Sequence, residues 1–297
     1  VTTVTTVVDR LVAPAPAERL AALRILVGAY ATAWAVLRLP EHLDHLSQPV
    51  PHWHPSGVWA LLDAPPPDVV VVALALAAPL LGLLFTAGWR YAVTGPAFAL
   101  TLLGLATLDS SWGQIFHTEN LMVLHVGILA LAPGAADALA VGRSPAGAPP
   151  SSRYGWPVRL CAAVVVVTYV TAGVAKLRYT GISWADGTAL RHLVAYDNLR
   201  KHLLGDRYSP VGTWLVTHGW TFRPLALATL AVELGAGVAL LGRWWRTGWV
   251  IAAWLFHLGV LALMAIVFAY PLSGVAFAPF FPLEHLPARL RRARART

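Results

Sequence analysis

The chain has 297 residues, 57% of them hydrophobic and only 12% charged, with a mean hydropathy of +0.62. A soluble domain carries about 25% charged residues, so this composition excludes an ordinary cytosolic enzyme and a disordered chain. The formal charge is +8, but five of the 22 cationic residues crowd into positions 289–297 and the rest punctuate apolar runs, a pattern of membrane orientation rather than nucleic-acid binding.

The opening VTTVTTVVDR lacks the basic-then-apolar build of a signal peptide, which predicts that the first apolar run stays as an anchor. A crossing helix needs about 20 mainly apolar residues. Seven runs meet or approach that length: 20–38, 68–88, 91–108, 120–141, 158–177, 222–242 and 247–268. An eighth, 270–286, is short and holds Pro271, Pro279 and Pro282, the mark of a broken or re-entrant segment. The polar stretch 178–221 contains ALRHLVAYDNLRKHLL (189–204), with apolar residues at helical spacing and cations opposite, and reads as an interfacial amphipathic helix. The expected fold is therefore an all-α polytopic bundle of about eight transmembrane segments with one interfacial helix. It divides into a cytoplasmic segment 1–17, a membrane domain 18–286 and a basic tail 287–297. Arg10, Arg19, Arg24, Arg90, Arg143, Arg153, Arg159, Arg243, Arg246 and the tail arginines all fall on one side of such an arrangement, with both termini cytoplasmic. The cations of 178–221 fall on the other side.

Ionisable groups inside a membrane are expensive and usually face a cavity. In the eight-span arrangement His117, Glu119 and Asn120 mark the outer end of the fourth run, with His125 deeper. Lys176 stands near the outer end of the fifth, Glu233 near the middle of the sixth and His257 near the middle of the seventh. These groups come from four helices and all can point into one half of a bundle. Tyr169, Gly173 and Lys176 are spaced i, i+4 and i+7 and share a helix face; His117 and Asn120, at i and i+3, are expected to share another. Gly173 allows close approach of a second helix or a flat ligand. Lys176 is one of two lysines beside 20 arginines. Where any cation would serve, this chain uses Arg, so a lysine here points to an amine whose proton can come off. The bland alternatives are a snorkelling Lys176, a structural Glu233–His257 pair, a satisfied interior His125 and a packing Gly173.

The first outer loop, EHLDHLSQPVPHWH, holds Glu41, His42, Asp44, His45, His52 and His54, a density of ligands that suits zinc or copper. A solvated, proline-constrained loop is the simpler reading, and no metal is expected. Cys161 alone offers neither a disulfide nor a thiolate cluster. Phosphate-binding glycine loops, a Gly-x-Ser-x-Gly elbow, a His-Glu-x-x-His motif and cysteine pairs are all missing from the sequence.

At AGVAKL (172–177), followed by Trp184 and Gly187, the sequence resembles the HTTM superfamily, which includes the vitamin K-dependent gamma-glutamyl carboxylases. The likeness extends over most of 18–282, through LAALRILVGAY (20–30), TAGWR (86–90), LAVELGAGVALL and WLFHLGVLALMAIVFAYPL. The resemblance implies a membrane enzyme using a reduced vitamin K or menaquinol-like quinol with O2 and CO2. Its motif lysine, here Lys176, deprotonates the quinol; the strong base then formed removes a γ proton from a glutamate, and CO2 traps the carbanion. The resemblance also implies a functional histidine at the outer end of the fourth helix, for which His117 is the first counterpart, with Asn120 and His125 as the others. It matches Phe256 and His257 to a phenylalanine–histidine pair, and Glu233 to an acidic residue. Tyr169, Gly173 and Trp184 are then expected to line the substrate pocket. The carboxylases carry a long lumenal region that grips a propeptide, and nothing comparable follows residue 286 here. A partner subunit or a small peptide substrate would have to supply that recognition. The alternative is a non-catalytic HTTM accessory subunit for bacterial peptide-toxin maturation or export; a haem or metal electron carrier using His117, His125 and His257 is a third reading. The alanine- and arginine-rich composition suits a high-GC bacterium, and the expected location is a bacterial cytoplasmic membrane.

Overall fold

The computed structural model describes residues 12–113, 115, 117–142 and 149–285. Residues 1–11, Arg143 and the tail 287–297, and with them the arginines expected on the cytoplasmic side there, lie outside them. The described residues are helical and contain no strand. Two compact units form: Val1–Ala162 with Ala278–Thr297, and Ala163–Phe277.

In the first unit, α1 (Ala17–Leu37) packs against α3 (Asp68–Ala87), α3 against α4 (Tyr91–Asp109), and α4 against α5 (Asn120–Ala130); the short α2 (Leu39–Asp44) follows α1. The α1–α3 crossing is built from two reciprocal small-residue steps. Gly28 faces Thr86 and Gly82 faces Thr32, so closely that a Cβ on either glycine would lie 2.5 or 2.4 Å from the opposing threonine Oγ1. Each threonine turns its hydroxyl back onto the carbonyl four residues earlier, Thr32 to Gly28 and Thr86 to Gly82, and no polar group is left unsatisfied at the contact. Phe85, Phe98 and Tyr91 fill the layer beside it. Arg24, expected as a flanking cytoplasmic cation, is fully buried and donates to the carbonyls of Ala135 and Leu139, both at 2.6 Å. It clips the chain that follows α5 to the start of α1.

The fourth apolar run does not become one crossing helix. α5 has 11 residues, about 16 Å of rise, and stops before Pro133, which bars helical backbone at Ala132 and opens the 3-10 turn Pro133–Ala136. The last run likewise yields only α12 (Ala269–Leu272) and the 3-10 helix Val275–Phe280. Among the described residues, six helical segments are long and apolar enough to cross a membrane: α1, α3, α4, α6 (Ser152–Thr180), Gly219–Leu240, and α11 (Arg243–Met264). They mark the chain as a membrane protein.

The second unit contains residues 163–180 of α6, α7 (Ile182–Ala185), α8 (Thr188–Leu203), α9 (Pro210–Val216), α10 (Phe222–Leu234), α11 and α12. α8 matches the amphipathic stretch expected at 189–204. Its core face carries polar residues as well as Leu190 and Val194: Asn198 Nδ2 donates to Leu263 O at 2.9 Å, Lys201 Nζ to Met264 O at 2.6 Å, and Ser209 Oγ to Ala262 O at 2.5 Å. The last carbonyls of α11 have no intrahelical partners, and these three side chains cap them, with a cation at the negative end of the helix dipole. Asp197 pairs with Lys201 at 2.8 Å, as an ion pair rather than a well-angled hydrogen bond.

Candidate functional site

The helical spacing of Tyr169, Gly173 and Lys176 on α6 brings all three to one place in the second unit. Gly173 lets α10 approach: a Cβ there would lie 3.0 Å from Glu233 Cβ and 2.9 Å from Leu234 Cδ2. That approach puts Glu233, 2% exposed, on the Lys176 ammonium, to which its Oε1 is joined by hydrogen bond and ion pair. The Lys176 nitrogen also lies over the Trp184 ring, 5.0 Å from its centroid, and 5.8 Å from that of Phe256. Trp184 is held by its indole donating to Thr229 Oγ1 at 3.1 Å. Gly187 completes the AGVAKL–Trp–Gly pattern. Its φ is +90°, and a Cβ would sit 2.5 Å from the backbone of Phe222 and Arg223, where α10 begins. The motif is thus a backbone device that fixes α6, α7 and the start of α10 around one amine.

One turn before Gly173 on α6, the Tyr169 hydroxyl and His257 Nε2 are 2.7 Å apart and buried. Trp249 meets Tyr169 edge-on at 5.0 Å, and Phe256 and Phe268 each stand 5.0 Å from His257. Two polar atoms of the cluster, Glu233 Oε2 and His257 Nδ1, are buried without a hydrogen-bond partner. Orphaned buried polar atoms are rare enough in folded proteins to call for an explanation, and ligand or proton chemistry is a common one. The α-helical part of α10 ends one residue after Glu233 and continues as a 3-10 helix, Gly235–Leu240, an irregularity frequent at functional positions.

Six expected residues, Tyr169, Gly173, Lys176, Trp184, Glu233 and His257, therefore gather in the second unit. The other three belong to the first. His117 is exposed and precedes α5, which begins at Asn120, so the i, i+3 helical face expected for that pair does not form. Asn120 is exposed as well. His125 is fully buried, with Nε2 3.1 Å from Cys161 O. Sequence reasoning also missed the Asn198–Lys201–Ser209 cap. A lysine and an asparagine three residues apart on an otherwise amphipathic helix were its only signal. Within residues 41–54, His42 and His45 converge on Asp109 at the end of α4, whereas Glu41, Asp44, His52 and His54 take no part.

No family model, no curated protein and no solved structure matches the chain.

Proposed function

We propose that the chain is an intramembrane enzyme of the vitamin K-dependent carboxylase type, in which Lys176 is the base acting on a quinol. The observation that carries this reading is the Lys176–Glu233 pair lodged between Trp184 and Phe256, next to the Tyr169–His257 hydrogen bond. The residues fit a flat, hydroxyl-bearing ring. Aromatic faces flank the amine, and Glu233 Oε2 and His257 Nδ1 are two buried polar atoms that such a ring can satisfy. A bound quinol would supply the reducing equivalents for reaction with O2. Glu233 takes the ammonium proton and leaves Lys176 Nζ as the free amine that accepts a proton from a substrate hydroxyl. Trp184 and Phe256 keep water from that nitrogen. Tyr169, Phe256 and Phe268 fix the His257 ring, whose remaining nitrogen orients the substrate. Only residues of the second unit are needed for these roles.

In this reading α5 with 131–141, and α12 with the 3-10 helix after it, are broken fourth and eighth crossings, and both termini are cytoplasmic. Non-helical backbone is tolerated at membrane depth only where protein covers it. Ala132, Ala135, Ala136 and Ala138 in the one segment, and Tyr270, Ala276, Phe277 and Phe280 in the other, are buried. α8 lies along the outer surface, since Leu193, Tyr196, Leu199 and Leu203 form an exposed apolar stripe opposite its core face, flanked by His192 and Arg200.

The test is reconstitution in lipid vesicles with reduced vitamin K or menaquinol under air, following oxygen uptake and quinone products. Co-expressed glutamate-containing peptides would be weighed for the gain of one carboxyl group. Quinol-dependent oxygen uptake that needs the protein supports the reading. Its absence with either quinol refutes it in favour of an accessory subunit.

A further inference from the structure

We propose that the outer loop of the first unit holds a divalent transition-metal site of the zinc class, formed by His42, His45 and Asp109. His42 is the fourth residue of α2, and His45 opens the 3-10 turn that follows. Their spacing of three puts both rings on one side of this short helical stretch, facing the last residue of α4. His42 Nδ1 stands 3.0 Å and His45 Nε2 2.8 Å from the same oxygen, Asp109 Oδ1, and the three ligand atoms lie within 4.8 Å of one another. Zinc–ligand bonds of about 2.0–2.1 Å in tetrahedral geometry separate ligand atoms by roughly 3.3 Å. The two imidazole–carboxylate separations need open by only about half an ångström to admit the ion, and the two ring nitrogens already lie within 4.8 Å of each other. Two imidazoles and one carboxylate form the three-ligand set that leaves a position open on the metal. A cavity of about 110 Å³ adjoins the cluster, bordered by His45, Gln48, Asp68 and Trp112.

Burial favours an ion over a purely hydrogen-bonded triad. His42 is fully buried and Asp109 nearly so, while the cation nearest Asp109, Arg38, is 3.7 Å from Oδ2 and engages Glu41 more closely, at 2.6 Å. A buried carboxylate needs close compensation, which a bound divalent ion supplies. In the hydrogen-bonded form, His42 donates from Nδ1 and leaves Nε2 as a buried lone pair without a partner. With Nδ1 on the metal, Nε2 carries the proton instead, and the ring keeps its tilted packing on Trp34, centroid to centroid 5.3 Å. Trp112, stacked on His45 at 6.0 Å and edge-on to Trp53 at 5.0 Å, forms an apolar wall that holds the second imidazole in place. This goes against the sequence-level expectation that the loop is metal-free, because the third ligand lies 64 residues from His45.

The experiment uses full-length protein freed of any affinity tag, stripped with chelator and titrated with Co²⁺, whose visible absorption reports a low-coordinate nitrogen–oxygen site, and with Zn²⁺ as competitor. The expectation is about one equivalent bound per chain. His45→Ala, at the least buried ligand, and Asp109→Asn should each weaken binding at least about tenfold, whereas His54→Ala, an exposed histidine of the same loop, should leave it unchanged. Thermal melts with and without Zn²⁺ guard against misfolding: the rise seen in the unaltered protein should vanish in His45→Ala. Absence of stoichiometric Co²⁺ binding in the unaltered protein overturns the proposal. So does a His45→Ala chain that still binds as tightly, or a His54→Ala chain that loses the site.

Discussion

The Lys176–Glu233 pair permits a double-mutant cycle whose outcome follows from its burial. Glu233 is 2% exposed and its partner's side chain 20%, so the carboxylate cannot be rehydrated without moving helices. In Lys176→Met the carboxylate remains among apolar groups; in Glu233→Leu the ammonium remains between Trp184 and Phe256. Removing one member of a buried pair costs about 3–5 kcal/mol, because the other is left uncompensated, whereas replacing both with apolar groups of similar volume is often neutral. Each single variant should therefore lose on the order of 10 °C in unfolding temperature in a fixed detergent or nanodisc. The double variant Lys176→Met/Glu233→Leu should recover most of the loss, giving a coupling of about 3 kcal/mol. Intrinsic tryptophan fluorescence or a thiol-reactive dye on the buried Cys161 follows the transition. Single variants that melt within about 2 °C of the unaltered protein would show the two groups hydrated and unpaired, and the site's geometry would be wrong.

Three further outcomes separate structural from chemical roles. Lys201→Met uncaps the end of α11 and leaves Asp197 only Arg200, at 3.6 Å; it should cost about 1–3 kcal/mol in the same melt yet leave the turnover of the folded fraction intact, the reverse of a conservative change at Lys176. Gly173→Ala forces a Cβ to within 3.0 Å of Glu233 and Leu234; it should destabilise by about 1–3 kcal/mol and lower turnover on the order of tenfold by displacing Glu233. Arg19 donates to both carboxylate oxygens of Glu284, at 2.5 and 2.7 Å, and these hydrogen bonds hold that carboxyl below the usual glutamate value. An acid depressed by folding contributes stability above its unfolded pKa and loses it as pH falls through the folded value. Melts should therefore show about 1–2 kcal/mol disappearing below about pH 4.3 in the unaltered chain, and no such step in Glu284→Gln.

The elements most legible in the sequence were those governed by length and period. Runs at 68–88 and 91–108 reappear as Asp68–Ala87 and Tyr91–Asp109, and 189–204 as Thr188–Leu203. The i, i+4, i+7 spacing on α6 was enough to place Tyr169, Gly173 and Lys176 together, because that arithmetic is local. Hydropathy treated 120–141 as uniform, whereas a single proline at 133 ends α5 after Ala130 and Ala132 turns out of helix. His117 was placed on a helix face that does not exist, since α5 begins three residues later. Cations were read as topological markers, and those that cap carbonyls, Arg24 and Lys201, were invisible as such. Their acceptors lie 111 and 63 residues away. The same non-locality hid the convergence of His42 and His45 on Asp109, and the contact that pairs Lys176 with Glu233 rather than Glu233 with His257.

The central claim is that Lys176 works as a proton acceptor and not as a fixed positive charge. Comparison of Lys176→Ala and Lys176→Arg in the quinol-dependent assay, with and without added small primary amines, addresses it directly. A base predicts that both variants fall by at least about 100-fold, and that amines restore part of the alanine variant's turnover in proportion to their basicity while leaving the arginine variant inactive. An arginine variant that turns over at the unaltered rate would contradict the account, since a guanidinium preserves the charge and cannot give up its proton.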